Sequence, residues 1–250
     1  MKALITGGTK GIGKEMAISL GKRGYDLILV SRNSGDLAEI KSEVQTNVEF
    51  ISHDLSSEEE CFKLLDELKN IDIDVFIANA GYGDIGYINK TNIEKEINMV
   101  KLNDISTLIL VKEFILRFIK KDKGNILITA SAASFGVCAY MNVYYATKAF
   151  VYSLAHGYYR ELKNMKSNVK ISVLTPGPVK TNFEERANAK FNIKSLSAKY
   201  VGEYSIKKML KGKFEIVPGF KIKLLHFFSH FAPKRFISKV LNKQSEIKNN

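Results

Sequence analysis

The first thirteen residues, Met1-Lys2-Ala3-Leu4-Ile5-Thr6-Gly7-Gly8-Thr9-Lys10-Gly11-Ile12-Gly13, decide the fold. Ala3, Leu4 and Ile5 form a short apolar run that ends at Thr6, and glycines follow at 7, 8, 11 and 13. Met16, Ala17 and Leu20 then recur on one side of a helical period. The order is strand, glycine turn, helix. Such a turn lets backbone approach a diphosphate, while the helix N-terminus points its unpaired N–H groups and positive dipole end at the anion. The spacing is G-x-x-x-G-x-G rather than the G-x-G-x-x-G of the common dinucleotide turn. A strand–helix connection without a ligand uses the same glycines, so the turn alone leaves both readings open.

Outward from this unit, apolar runs alternate with helical patterns. Strands are expected near 2–6, 26–31, 48–52, 73–77, 124–130, 169–174 and 214–217, and helices near 12–22, 35–45, 57–69, 92–120 and 143–165. Alternating strands and helices imply an α/β fold: a single-domain, doubly wound, Rossmann-like parallel sheet of about seven strands, with helices on both faces. Buried parallel strands are apolar throughout, as Val75-Phe76-Ile77 and Ile126-Leu127-Ile128 are. Residues 182–212 break the alternation and are expected to form a substrate lid at the strand ends. The last residues, Gln244 to Asn250, read as a frayed tail.

Composition fits an enzyme of one domain spanning 1–250: 45% of the residues are hydrophobic. The two cysteines, Cys61 and Cys138, have no paired spacing, which implies a reducing, cytoplasmic setting and no disulfide framework, and no metal site is expected. No apolar run reaches the ~18 residues needed to span a bilayer. The net charge of +12 suits an anionic cofactor or anionic lipid, or is a solvated lysine-rich surface. Nucleic acid is not an expected partner, because the charge is dispersed and no aromatic–basic module is present.

The second strand bears on which dinucleotide would bind. Leu27-Ile28-Leu29-Val30 ends in Ser31-Arg32-Asn33, with no carboxylate for a ribose 2′-hydroxyl. Arg32, and Lys10 inside the glycine turn, would instead meet a 2′-phosphate. Two charge-assisted contacts there would favour NADPH over NADH by roughly a hundredfold or more. The alternative is that both are surface bases of a lysine-rich protein, which their joint placement beside the ribose position argues against.

Tyr144 and Lys148 form Y-x-x-x-K on a predicted helix, one turn apart on one face. A tyrosine needs its pKa lowered from about 10 to act as an acid or base at neutral pH, and a nearby ammonium does this. Tyr159/Lys163 and Tyr204/Lys208 repeat the spacing, but only Tyr144 follows a strand end that carries a serine, Ser131.

Together these motifs resemble the short-chain dehydrogenase/reductase family over residues 1 to about 181. Thr6-Gly7 with Thr9, Gly11, Ile12 and Gly13 resembles its TGxxxGIG turn, and Asp54-Leu55 its pair beside the adenine. Asn79-Ala80-Gly81 resembles its NAG motif; Pro176, Gly177, Val179 and Thr181 resemble the loop that holds the nicotinamide. Asn103, Ser131, Tyr144 and Lys148 match its catalytic residues, and Ser31-Arg32 resembles members that use NADPH. Ala78, Ala130 and Thr147 depart from common family residues without removing a catalytic group. The resemblance implies NADP(H) as cofactor and a ketone, aldehyde or secondary alcohol as substrate. Tyr144 would be the acid/base, Lys148 would hold the ribose and lower the Tyr144 pKa, and Asn103 would hold a water that relays protons. Asn103 as a polar residue closing a helix bend is the alternative.

Cys138, Tyr140, Met141 and Phe183 are expected to shape the substrate pocket. Leu108, Leu110, Phe114, Phe118, Phe150, Leu154 and Tyr158 exceed what one sheet face covers, which implies a homodimer or homotetramer. Residues 221–243 hold six Lys or Arg and no acid. Leu224, Leu225, Phe228 and Phe231 share one helical side, and Phe236, Ile237, Val240 and Leu241 another. This basic amphipathic extension either roofs the pocket, packs in a dimer or lies on a membrane surface. The expected function is an NADPH-dependent carbonyl reductase or alcohol dehydrogenase. The alternatives are a membrane-surface reductase of lipid-linked carbonyls and a non-catalytic NADP-binding regulator.

Overall fold

Strand β1 (Lys2–Thr6) is buried along its apolar length, with Ala3, Leu4 and Ile5 fully covered. It lies between β4 and β2 inside a seven-stranded sheet with β2 (Asp26–Ser31), β3 (Val48–Ser52), β4 (Val75–Ala78), β5 (Asn125–Thr129), β6 (Lys170–Leu174) and β7 (Glu215–Ile216). The order is β7-β6-β5-β4-β1-β2-β3, and every pairing is parallel. This computed structural model describes residues 1–181, 183, 187, 189–191, 194–229, 231, 238 and 245–247.

The period-2 alternation of strand side chains splits the core in two. Leu4, Ile28, Phe76, Ile126 and Ile171 face α3 (Glu58–Glu67), α5 (Ser106–Lys120) and α6 (Asn142–Asn164). Phe76 stacks on Phe114 at 4.3 Å between centroids. Ala3, Ile5, Leu27, Leu29, Val75 and Ile77 face α1 (Gly11–Gly21), α2 (Leu37–Glu43) and α7 (Ala198–Leu210). Helix α4 (Ile93–Val100) runs into α5 through one wide π turn, Lys101–Ile105. Chain direction reverses on either side of β1, so a crevice opens at the C-terminal ends of β1 and β4.

Three expectations are corrected here. The lid does not reach 212: Leu196–Ser197 pairs with Val179–Lys180, and α7 buries Val201, Ile206 and Met209 in the sheet core. Their helical spacing was masked by Lys and Tyr on the solvent side. Leu110, Phe114 and Phe118 are not surplus apolar surface, because the sheet covers them completely. Within the tail, Ser245–Ile247 is not frayed but pairs antiparallel with Ala189–Phe191. Helix α8 (Phe220–Ser229) forms the start of the basic extension, while Phe236, Ile237, Val240 and Leu241 lie outside the described residues.

The glycine turn is sterically closed from behind. A Cβ at Gly13 would lie 2.1 Å from the Gly7 carbonyl oxygen and 2.6 Å from Asn79 Nδ2. Backbone cannot yield as a side chain does, so Gly13→Ala is expected to cost about 1–3 kcal/mol. At about 2–4 °C per kcal/mol for a chain of this size, calorimetry should find the melting temperature lower by roughly 2–12 °C. An unchanged melting temperature contradicts the packing described.

Candidate active site

A cavity of about 760 Å³ runs from the glycine turn to the first turns of α6. Every catalytic and cofactor-binding residue nominated from the sequence lines its wall except Gly13 and Asn103, which lie outside the lining. Gly7 and Gly11 hold φ of +62° and +55°, values that an L side chain rarely adopts. The turn is stapled by Thr6. Its hydroxyl accepts the N–H groups of Asn79 (3.0 Å) and Ala80 (3.1 Å) and donates to the Ile77 carbonyl (3.3 Å). Asn79 Nδ2 donates to the carbonyls of Thr6 (3.3 Å) and Gly7 (3.2 Å), and Thr129 Oγ1 donates to Asn79 Oδ1 (3.2 Å). Asn79 thus ties β1, β4 and β5 together as well as lining the cavity. A glycine cradle at a helix N-terminus, leading to buried proton-bearing groups, fits a dinucleotide.

Ser131, Tyr144 and Lys148 meet at the inner end of the cavity. Ser131 caps a short 3₁₀ turn, Ala132–Phe135, by accepting the Ala133 N–H at 3.1 Å, and its hydroxyl hydrogen-bonds Tyr144. Lys148 Nζ donates to the Thr129 carbonyl at 3.1 Å and lies 5.9 Å from the Tyr144 ring centroid. Tyr159/Lys163 and Tyr204/Lys208 show nearly the same lysine-to-ring distances, 5.7 and 5.5 Å, so that distance is a property of the spacing. What distinguishes Tyr144 and Lys148 is burial, at 8% and 6% exposure. Tyr159 stacks on Phe214, and Tyr204 on Tyr200.

Burial governs the protons here. It pushes the Tyr144 hydroxyl up to about 12, with the Ser131 bond pulling the other way. Lys148 is pushed down to about 8 by burial, opposed by the charge of Asp104. The Lys148 ammonium is turned toward Thr129, and burial is the larger influence on the Tyr144 phenol.

Asn103 sits in the π turn, 1% exposed. Its Nδ2 donates to the Tyr82 carbonyl (2.9 Å) and Thr147 Oγ1 (3.0 Å), and its Oδ1 accepts the Tyr82 N–H (3.1 Å). Both amide protons are committed, so the side chain is a clasp holding the 81–83 loop against α6. This favours the bend-closing alternative over a water relay by the side chain. Neighbouring Asp104 is also buried, and its Oδ1 has no hydrogen-bond partner. Burial pushes its carboxyl up to about 7 despite the Lys148 charge.

At the far end, Thr9 and Ser31 share a hydrogen bond of 2.9 Å. Arg32 is 61% exposed and its Nη1 lies 3.9 Å from Asp54 Oδ2. Asp36, paired with Lys14 at 3.2 Å, lines the wall as an acid that sequence reading missed. The substrate end is formed by Tyr82, Met141, Tyr145, Phe183, Ile222 and Leu225. Phe183 packs 5.4 Å from the Tyr144 ring, and Cys138 is buried in the same cluster. Tyr140 does not join them, because its φ of +70° turns the ring onto Tyr87 outside the cavity. Tyr82, Ile222 and Leu225 carry no motif. For Leu225 the signal was the apolar side of the basic extension, which could roof the pocket; Tyr82 and Ile222 gave only their aromatic or apolar character.

The family model for short chain dehydrogenases matches residues 1–192. An uncharacterized oxidoreductase of Staphylococcus saprophyticus is 29% identical over 72% of this chain and 78% of its own. Among solved structures, a short-chain dehydrogenase from Sphingobium yanoikuyae in complex with NADPH superposes with a TM-score of 0.79 at 26% identity, covering 87% of each chain. The bulky-bulky ketone specific alcohol dehydrogenase from Comamonas testosteroni gives a TM-score of 0.76 at 25% identity, covering 88% of this chain and 86% of that one.

The Asp104 carboxyl makes a testable contribution. An acid raised from its ordinary value of 3.8 to about 7 costs stability as pH rises between those values. Asp104→Asn removes that cost. Its melting temperature should exceed that of the wild type by roughly 2–8 °C at pH 8, for about 1–2 kcal/mol, with the gain gone near pH 4. A gain independent of pH contradicts this account.

Proposed function

The chain belongs to the short-chain dehydrogenase/reductase family, as an NAD(P)-dependent oxidoreductase, and on that premise we propose that it is an NADPH-dependent reductase of apolar ketones or aldehydes. The observation that carries the reading is one continuous cavity. Lys10 and Arg32 line one end, and Ser131 with the buried Tyr144 and Lys148 lies at the other among apolar side chains.

The dinucleotide supplies the hydride when bound, held by the glycine turn, Thr9, Ser31, Leu55, Ala80 and the Pro176–Thr181 loop. Tyr144 gives its phenolic proton to the substrate oxygen. A hydroxyl held up near 12 is fully protonated at neutral pH, which favours reduction. Ser131 donates to the same oxygen as negative charge develops there. Lys148 keeps a cation beside that charge, and above its pKa of about 8 this support declines. Asn103 and Asn79 position the loops around these groups. The wall formed by Tyr82, Met141, Tyr145, Phe183 and Leu225 excludes water and favours an apolar substrate. The exposed apolar residues Phe62, Leu116 and Phe150 support a homo-oligomer in which these helices pair about a two-fold axis.

With NADPH and an aryl ketone, Tyr144→Phe should lose at least roughly a thousandfold in kcat while its Kd for NADPH changes little. Tyr159→Phe should retain near-normal turnover. Substantial turnover by Tyr144→Phe overturns the assignment.

Cofactor preference follows from exposure as well as charge. Arg32 is largely in solvent and shares its field with Asp54, so its contact with a 2′-phosphate is screened. The expected preference in kcat/KM for NADPH over NADH is roughly tenfold to a hundredfold, at the lower end of what two charge-assisted contacts supply. Arg32→Asp should reverse it, and Lys10→Ala should weaken NADPH alone. A wild type that prefers NADH contradicts the NADPH reading and leaves the reductase reading intact.

A further inference from the structure

Helix α8 is apolar on two sides, and the two sides meet different surroundings. On the inner side Ile222 is 5% exposed and seats on Gly177, where an added Cβ would come within 2.6 Å of its Cδ1. Leu225 lies beside it, and both line the cavity. His226 fixes the helix: its ring packs 4.4 Å from Phe135, and its Nε2 lies 3.3 Å from the Tyr152 hydroxyl and 3.6 Å from Glu215. Glu215 in turn meets His156 at 3.0 Å, and these bases with the Tyr152 hydroxyl hold its carboxyl down at about 2.

The outer side is bare. Phe220 is 77% exposed, Leu224 46%, Phe227 58%, Phe228 54% and Phe231 76%. The Phe227 ring touches those of Phe228 and Phe231, at 5.6 and 5.4 Å, so the exposed rings form one patch. Contiguous exposed apolar patches of this kind mark surfaces that meet a partner. Lys221 and Lys223 flank it, with the Lys223 ammonium 5.7 Å from the Tyr204 ring. From Phe220 to Ser245 the sequence has Lys221, Lys223, Lys234, Arg235, Lys239 and Lys243 and no acidic residue.

We propose that the outer face of α8 docks on an anionic membrane surface, with Phe220, Leu224, Phe227, Phe228 and Phe231 entering the headgroup boundary and the lysines meeting lipid phosphates. Charge selects this occupant. A second copy of the chain would bring the same cations against these, with no acid in the stretch to balance them. Anionic lipid supplies the opposite sign, and a helix with aromatics on one face beside basic residues suits the interface. The helix lies on the bilayer rather than through it, since no described helix is long and apolar enough to cross. Because Ile222 and Leu225 on its other side line the cavity, docking puts the substrate end beside the lipid. Resting on the reductase reading above, this narrows the substrate class to carbonyl compounds that partition into bilayers.

The test is co-sedimentation of the full chain with vesicles of phosphatidylcholine alone or mixed with phosphatidylglycerol, with no turnover required. The expected result is binding to the mixed vesicles at least roughly tenfold tighter than to neutral ones, weakening as salt is added. The double variant Phe227→Ser/Phe228→Ser should lose roughly tenfold or more of that affinity, because two exposed rings no longer enter the interface. Its turnover of a water-soluble ketone should match the wild type, since neither residue lines the cavity. Failure to sediment with either vesicle overturns the proposal, as does undiminished binding by the double variant. A wild-type dimer that this variant converts to monomer, without vesicle binding, assigns the patch to a second copy instead. A chain that sediments but reduces no ketone leaves the docking surface standing and removes the reductase reading.

Discussion

The Thr6 hydroxyl is the joint on which the site depends. At the end of β1 it accepts the backbone N–H groups of Asn79 and Ala80 and donates to Ile77, so the C-terminal ends of β1 and β4 are locked together. Parallel strands leave their terminal polar groups facing the crevice, and unpaired buried groups are costly. Thr6 and Asn79 satisfy them with side chains that also hold the glycine turn open. The cavity follows from that lock. Gly7 and Gly11 bend the backbone away, and the cavity opens above the turn.

The inner end of the cavity works by withholding water. Tyr144 and Lys148 have no carboxylate in direct contact, and burial moves each toward its neutral form. Asp104 opposes this at Lys148 from the π turn, while burial suppresses its own ionisation. On the reading proposed above, the neutral phenol, beside an amine still largely protonated at neutral pH, is the proton donor, whereas a phenolate would need the charge that burial suppresses. The π turn has a second use. Widening α4–α5 at Lys101–Ile105 aims Asn103 at the Tyr82 backbone, so the helix break and the loop beside the substrate are fixed by one side chain.

Much of this was legible in the residues. The seven strands lie where the apolar runs place them, because a strand buried on both faces admits almost no polar residue and its ends are marked by turn chemistry. The glycine turn and the Tyr144/Lys148 pair were readable because a steric requirement and a helical spacing act over a few neighbouring positions. Reading failed where partners are distant in sequence. Residues 198–210 read as lid because their buried stripe, Val201, Ile206 and Met209, is defined only by α1 and the sheet beneath it. Tyr140 reads as a pocket residue in the sequence, and its positive φ accompanies a ring packed on Tyr87 instead. The Asn103 clasp pairs residues 21 apart in the chain, and no local pattern announces it.

By itself, then, the sequence determined the order of strands and helices, the glycine turn and the residues that line the inner end of the cavity. These follow from local sterics, side-chain period and composition. The tertiary structure decided which of three Y-x-x-x-K pairs is buried, how far burial shifts its protons, and that α8 gives one apolar face to the cavity and leaves another in solvent. Those outcomes turn on desolvation, which depends on what long-range packing brings over a side chain and not on its neighbours in the chain.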